Sequence, residues 1–431
     1  MGVNYVFRDQ EGLALASRYI TWNGSPFLLA SGSPWSIVVQ LTEAQMATYL
    51  DARQAQGFTG LLVNLIEHYF SSQSPLYQDV DGNVPFTGMA QNSVDFTAPV
   101  SAYWSRVDTL FGLAKARGMM ILAFPAYLGF GGGAGIAGDQ GWDYAVNQAS
   151  AGDLQTYGAW LANRYGPGSS YGNVIWAMGG DYDAPDPSHQ WNIATGIRSV
   201  DSNAIITYHG GRTSSAYDNV AGYTGFNLNN VYSDYDGACY ALAATEFERN
   251  GPIPFIHIEG AYGNAQTAAE CRRQYYHALL SGACGFSFGT YPVWSFGDSN
   301  GDSGIGAASA LSGYLDTTEA QEMAYAIALF SAYSWHLLAP QTGTALVTTA
   351  LGTSTSRICP ALASDGSFAL IYTPSANFTV DMTALTPSSV RARWYDPTAG
   401  TYSADGASPL ANTGTHAFTA PGERVLVLDA A

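Results

Sequence analysis

The chain carries very little positive charge. Its 431 residues include 16 lysines and arginines, of which Lys115 is the only lysine, against 34 aspartates and glutamates. The formal net charge is therefore −18. Nucleic acids and anionic membrane surfaces are bound through basic patches, which this balance does not supply. The sequence predicts no nucleic-acid partner and no membrane partner.

Long apolar runs and metal-binding cysteine pairs are also missing. No run reaches the roughly 18 apolar residues that a membrane-spanning helix needs. The first residues show no basic segment followed by an apolar run, so no signal peptide is visible. The four cysteines form no Cys-x-x-Cys pair, which argues against a structural zinc site and leaves their pairing open. No cofactor and no metal ion are expected.

Strand and helix patterns alternate through residues 27–333, and after Pro340 only short alternating apolar segments remain. Eight strand–helix units predict an α/β fold, a (β/α)₈ TIM barrel over residues 1–340. The later segments predict an all-β sandwich over residues 341–431. A doubly wound sheet is the competing fold, but no Gly-x-Gly-x-x-Gly turn follows the first strand. The predicted barrel strands are 27–30, 60–66, 119–127, 173–181, 204–209, 226–232, 254–260 and 284–290.

Two of these buried-looking strands end in a carboxylate. Asp181 ends the fourth strand and Glu259 ends the seventh. An acidic side chain at the end of an apolar strand is costly unless something there requires it. In a barrel the two would face one mouth from opposite sides, as glycoside cleavage by a pair of carboxyl groups requires. Either residue alone could instead be a helix cap or an ion-pair partner.

Polar and aromatic residues end most of the other predicted strands. This pattern favours a sugar site, because aromatic rings stack on the apolar faces of sugars. Taken singly, each residue could be a packing residue or a solvated loop residue. Ser36, Glu67, Arg212 and Tyr235 lie close by in sequence. The candidate substrate-binding residues are Trp35, Asn64, His68, Tyr127, Tyr182, His209, Tyr232, Asp234 and Trp294.

Two further patterns are interpreted as structural, and a third gives a lower-ranked functional hypothesis. Residues 298–302 (DSNGD) resemble half of a calcium loop, but serines stand where its glycine and glutamate belong, so we interpret them as an acidic turn. The glycines within 131–135 predict a flexible loop or lid, and the Lys-Ser/Thr of a phosphate loop does not follow them. A metal-dependent hydrolase using Asp181, Asp183 and Asp186 ranks behind the metal-free hypotheses.

Several segments together resemble the apiosidase-like glycoside hydrolases of family 140. Residues 18–29 (RYITWNGSPFLL) and 49–58 (YLDARQAQGF) are similar to the start of that family, and 173–181 (NVIWAMGGD) to its fourth strand. Residues 394–400 (WYDPTAG) and 418–429 resemble its C-terminal sandwich, called a collagen-binding domain. The tail shows no collagen-recognition chemistry, so we expect it to pack against the barrel.

The resemblance implies retaining hydrolysis of β-linked apiose in pectin side chains or plant glycosides. Asp181 would be the acid/base and Glu259 the nucleophile. The wider clan has asparagine where this chain has Gly180, so an arabinofuranosidase or galactofuranosidase stays open. A non-catalytic glycan-binding barrel is the alternative from another class. We expect a carbohydrate partner and a secreted or periplasmic location; the oligomeric state stays open.

Overall fold

The computed structural model describes residues 12–90, 93–130, 140–235, 239–249, 251, 253–297 and 311–431. The strands are β1 Leu13–Leu15, β2 Ile20–Trp22, β3 Ser25–Phe27, β4 Leu29–Gly32, β5 Gly60–Asn64, β6 Met120–Phe124, β7 Val174–Gly179, β8 Ile206–His209, β9 Asn229–Tyr232, β10 Phe255–Glu259, β11 Tyr262–Gly263, β12 Gly285–Thr290, β13 Leu338–Pro340, β14 Cys359–Ala363, β15 Ala369–Thr373, β16 Phe378–Asp381, β17 Ser389–Asp396, β18 Thr401–Ala404, β19 Leu410–Ala411, β20 Thr415–Phe418 and β21 Arg424–Ala430. The helices are α1 Ile37–Gln40, α2 Glu43–Ala55, α3 Ser101–Ala116, α4 Asp143–Gln148, α5 Ala151–Tyr165, α6 Ser188–Val200, α7 Ala216–Val220, α8 Tyr240–Glu248, α9 Ala268–Leu280, α10 Leu311–Leu315 and α11 Thr318–Ser331.

Eight parallel strands form a nearly closed barrel, in the order β8-β7-β6-β5-β4-β12-β10-β9, which confirms the predicted (β/α)₈ fold. Side chains alternate between two cores: Leu62 of β5 faces the barrel interior, whereas Leu61 and Val63 pack against the surrounding helices. Local signals set the helix boundaries. Thr42, for example, begins α2 with a capping box to Gln45.

The first barrel strand was predicted two residues too early. Residues 25–27 pair back onto β2 and form a small antiparallel sheet, so the barrel strand β4 begins at Leu29. Ile20, Trp22 and Phe27 of that small sheet pack with the interior residues of the barrel. The sheet therefore adds apolar side chains to the barrel core.

The barrel wall has a seam between β8 and β9. These two strands are the ends of the strand order, and no regular ladder joins them among the described residues. Backbone N–H groups of Asn227 and Leu228 donate to the Ile206 carbonyl at 3.2 Å. Higher up, the Asn230 side chain donates to Tyr208 O at 2.7 Å and to Thr207 Oγ1 at 2.8 Å. A side-chain amide thus takes the place of a ladder.

The C-terminal region is antiparallel β structure, as predicted, with two layers of unequal size. Seven strands form one sheet, ordered β13-β14-β15-β21-β17-β18 with β19 beside β17, and β16 pairs with β20 in a second sheet. Because side chains alternate, Leu426 and Leu428 of β21 face the small sheet, whereas Val425 and Val427 face the barrel. Both faces of the large sheet are therefore buried.

The barrel contact of this sheet is aromatic and ionic. Tyr276 of α9 stacks on Tyr372 of β15 with ring centroids 5.3 Å apart. Buried Arg272 donates from Nε to Glu423 Oε1 at 2.9 Å and also pairs with Glu322. These contacts match the expectation that the tail packs against the barrel.

Two smaller points complete the fold. All four cysteines are buried, and none of them forms a disulfide. In the part of the chain that the structure describes, no helix is both long enough and apolar enough to cross a membrane. The acidic turn at 298–302 and the glycine loop at 131–135 lie outside the described residues.

Candidate active site

Asp181 lies on a tight turn of left-handed backbone directly after β7. The φ angles of Gly179, Gly180 and Asp181 are 80°, 145° and 54°. A Cβ on Gly179 would come within 2.2 Å of the His209 carbonyl, and one on Gly180 within 2.6 Å of the Leu128 nitrogen. Neither position accepts a side chain, because backbone atoms cannot move aside cheaply. An asparagine in place of Gly180 would not fit this turn.

Gln190 of α6 holds the turn from outside the barrel. The Gly179 N–H donates to Gln190 Oε1 at 2.5 Å, and Gln190 Nε2 donates to the Ala126 carbonyl at 2.6 Å. One buried amide therefore satisfies backbone groups at the ends of two neighbouring strands, where the regular ladder stops.

His209, at the end of β8, connects the two acidic residues. The Asp181 N–H donates to His209 Nδ1 at 2.8 Å, and His209 Nε2 lies 2.8 Å from Glu259 Oε2. Because Nδ1 accepts from a backbone amide, the imidazole carries its hydrogen on Nε2 and donates it to the carboxylate. The backbone of one acidic residue thus sets the tautomer that orients the other.

Glu259 is held at its second oxygen by a tyrosine. Tyr262 donates to Glu259 Oε1 at 2.8 Å and itself accepts from Trp35 Nε1 at 3.0 Å. Together with His209, two partners hold the carboxyl group, one at each oxygen, so the orientation of Glu259 is fixed.

The surroundings of Asp181 favour its protonated form. Burial, followed by the negative charge of Glu259, raises the pKa of Asp181 to about 7, against a smaller lowering by His209. Its Oδ1 is buried and accepts no hydrogen bond from the protein. Burial lowers the pKa of His209, and the two carboxylates raise it by more. A carboxyl group with a raised pKa beside a second carboxyl group is a signature of acid/base and nucleophile roles.

The two acids line a cavity of about 270 Å³ at the C-terminal ends of the barrel strands. Aromatic rings form the wall beside the strand ends of β12, β4, β5 and β6, and the opposite wall carries the charged groups. The lining residues are Trp35, Asn64, Phe70, Tyr127, Phe130, Gln140, Asp181, Arg212, Tyr235, Glu259, Tyr262, Ala265, Gln266, Tyr291 and Trp294.

The sequence also matches a model of a known family. The model of the apiosidase-like catalytic domain matches residues 15–336. The chain belongs to this apiosidase-like family. A second model, described as "Putative collagen-binding domain of a collagenase", matches residues 343–429 of the apiosidase-like chain. No curated protein sequence matches.

Solved structures share the fold of this apiosidase-like chain. A glycoside hydrolase family 5 crystal structure from Bacteroides vulgatus has a TM-score of 0.81 at 17% identity, covering 98% of this chain and 94% of its own. A second structure, named glycoside hydrolase, has a TM-score of 0.80 at 17% identity and covers 98% and 97%. At this identity the likeness shows the fold alone, which is that of a glycoside hydrolase.

The structure brings most of the candidate residues together. Trp35, Asn64, Tyr127 and Trp294 line the cavity beside Asp181 and Glu259. His209 lies directly behind the two acids. Tyr232 lies behind it, fully buried, with its ring 5.2 Å from the His209 ring.

Like His209 and Tyr232, three further candidates do not line the cavity. His68 packs edge-on against Trp142, with ring centroids 4.7 Å apart. Tyr182 offers only its carbonyl, which accepts from Tyr208 at 3.1 Å. Asp234 is exposed, with a carboxylate oxygen 4.0 Å from Arg212. Each lies in a segment that has already turned away from its strand, so strand-end position does not set the direction of the side chain.

Several lining residues were missed. Tyr262, Phe70 and Tyr291 lie one to six residues beyond a strand end. Extending the strand-end rule to the whole loop that follows would have found them. Arg212 and Tyr235, noted only as neighbours, also line the cavity, and the Arg212 guanidinium lies 3.9 Å above the Tyr235 ring.

The acids after Asp181 have local partners. Asp183 Oδ1 accepts from the Gly211 N–H at 2.7 Å and from Asn219 Nδ2 at 2.9 Å. Asp186 Oδ1 accepts from the Ser188 N–H at 2.9 Å. Within the described ranges no group of three or more His, Cys, Asp or Glu side chains could hold a metal ion.

Proposed function

We propose that the protein is a retaining glycoside hydrolase that releases β-linked apiose from plant glycosides or pectin side chains. The observation that carries the proposal is the pair Asp181 and Glu259 on one cavity. A single imidazole lies between them, and the pKa of Asp181 is raised to about 7. Such a pair supplies both the proton and the nucleophile that double displacement needs.

Each carboxyl group has a role in both steps. Glu259 attacks the anomeric carbon while protonated Asp181 gives its proton to the leaving oxygen, and a glycosyl ester forms on Glu259. The ester carries no charge, so one of the two main causes of the raised Asp181 pKa disappears. The pKa of Asp181 then falls, and its carboxylate takes a proton from the water that cleaves the ester.

The choice of sugar rests on the family description, and the cavity volume suits a single sugar ring. Arabinofuranosides and galactofuranosides present a similar five-membered ring and are the competing substrates. A non-catalytic glycan-binding barrel is the other alternative, but a binder gains nothing from a carboxyl group whose pKa is raised beside a second carboxyl group.

The test compares purified protein on 4-nitrophenyl β-apiofuranoside, α-arabinofuranoside and β-galactofuranoside. Proton NMR of the first-formed sugar should show retention of configuration. Glu259→Ala should lower kcat by on the order of 10⁴-fold, whereas the exposed Glu43 on α2 serves as a control whose alanine variant keeps wild-type rates. Wild-type turnover by Glu259→Ala, or an inverted first product, would contradict the proposal. Sugar binding by calorimetry without any product would favour the binder.

A further inference from the structure

Glu67 is a buried carboxylate beside the cavity whose hydrogen-bond partners are all neutral. Its exposed fraction is 1%. Oε1 accepts from the backbone N–H groups of His68 at 2.9 Å and Phe70 at 3.3 Å. Oε2 accepts from Ser36 Oγ at 2.8 Å and from Asn64 Nδ2 at 3.2 Å. Glu67 takes no part in the proposed chemistry, so the reason for burying its carboxyl group must lie in the residues that it contacts.

The contact orients the amide of Asn64. Nδ2 of Asn64 donates to Glu67 Oε2, so Oδ1 of the same amide faces away from Glu67. Asn64 lines the cavity at 2% exposure, and its Oδ1 is buried and has no hydrogen-bond partner in the protein. Buried polar atoms are paired in the great majority of cases, so an unpaired acceptor on a cavity wall indicates a donor in the ligand.

We propose that Asn64 Oδ1 accepts a hydrogen bond from a ring hydroxyl of the bound sugar, with Glu67 as the positioning residue that sets this polarity. The inference rests on the proposed function. It also accounts for Gly180: the turn after β7 excludes a side chain there, and the amide contact comes from the second barrel strand instead. The site should therefore reject a sugar that lacks this hydroxyl or carries a methyl ether in its place.

A cycle of enzyme and substrate changes tests the contact. Wild type and Asn64→Ala are compared on whichever furanoside is cleaved, together with its deoxy analogues. Loss of one hydrogen bond should lower kcat/KM about tenfold in Asn64→Ala. In wild type, the deoxy analogue that lacks the contacted hydroxyl should show a similarly lowered kcat/KM. Asn64→Ala should not lower the kcat/KM of that analogue any further. Equal slowing of the parent and every deoxy analogue would overturn the inference.

Glu67→Gln is the second part of the test. This variant should reverse the orientation of the Asn64 amide and not only remove a hydrogen bond. The backbone donors of His68 and Phe70 would hold the glutamine oxygen at the Oε1 position, which places its NH₂ towards Asn64. Asn64 would then turn Oδ1 to the glutamine and present Nδ2 to the cavity. The ratio of kcat/KM for the hydroxyl sugar over its methyl ether should fall at least several-fold from the wild-type ratio. An unchanged ratio in a folded variant refutes the positioning role. If the wild-type protein cleaves none of the furanosides, the proposed function is refuted instead.

Discussion

Replacing the proposed proton donor should stabilise the protein, and the gain should depend on pH. The pKa of Asp181 rises from its ordinary value of 3.8 to about 7 in the fold. Below pH 4 the carboxyl is protonated in both the folded and unfolded chains, and its burial then costs nothing electrostatic. Between about pH 4 and pH 7 the unfolded chain is ionised while the folded chain keeps its proton, so stability falls as pH rises, and it levels off once the folded chain has also released its proton.

The size of the effect follows from the shift. About three pKa units at about 1.36 kcal/mol each amount to about 4 kcal/mol as an upper limit. Asp181→Asn removes the charge at every pH, so its unfolding free energy relative to wild type should increase by about 2–4 kcal/mol between pH 4 and pH 8. Hydrolytic activity should be lost in the same variant.

The assay is guanidinium denaturation at several pH values, followed by tryptophan fluorescence. Asp183→Asn is the matched control in the same loop. The Asp183 carboxylate is exposed and accepts hydrogen bonds, so this variant should be less stable than wild type and should gain nothing at high pH. A difference between Asp181→Asn and wild type that stays constant from pH 4 to pH 8 would refute the reasoning.

Three further outcomes are expected. In wild type, kcat/KM should fall about tenfold per pH unit above the Asp181 pKa of about 7, because the proton donor is then ionised; a pH–rate profile without this alkaline limb would contradict the acid assignment. Tyr262→Phe removes the donor at Glu259 Oε1 and should lower kcat by about 10–100-fold in steady-state kinetics, and a rate within twofold of wild type would show that the hydrogen bond is dispensable. Arg272→Met leaves Glu423 without its buried partner and should lower the unfolding free energy by about 3–5 kcal/mol in denaturant titrations, whereas an unchanged midpoint would mean that the contact with the large sheet adds nothing.

The barrel and the two acids could be predicted because burial leaves a clear pattern in a chain. Strands covered on both faces are continuous apolar runs, so Asp181, two residues beyond β7, and Glu259, the last residue of β10, stand out against them. The direction of a side chain beyond the strand end depends on the path of the loop. For this reason Trp35 and Trp294 were placed correctly at the cavity by the same rule that misplaced His68 and Asp234.

Other features depend on contacts between distant residues. Gly180, which stands where the wider clan has asparagine, suggested a lost amide contact, yet the backbone of His209 and Leu128 leaves no room for a side chain at either Gly179 or Gly180. The start of the first barrel strand was predicted too early for a similar reason. Residues 25–27 have strand character, but they pair with β2 and not with the barrel. Periodicity reports that a segment is extended and not which sheet it joins.

The seam between β8 and β9 bears on how wide the site can open. Asp181 follows β7 and Glu259 ends β10, so the seam runs between the two proposed catalytic carboxyls. Elsewhere in the wall, neighbouring strands are tied by rows of backbone hydrogen bonds that no single substitution removes. At the seam the backbone bonds are limited to those that Asn227 and Leu228 donate to Ile206, and nearer the cavity the strands are joined by the Asn230 side chain. A substitution at Asn230 should therefore loosen the wall between the two carboxyl groups without altering a strand.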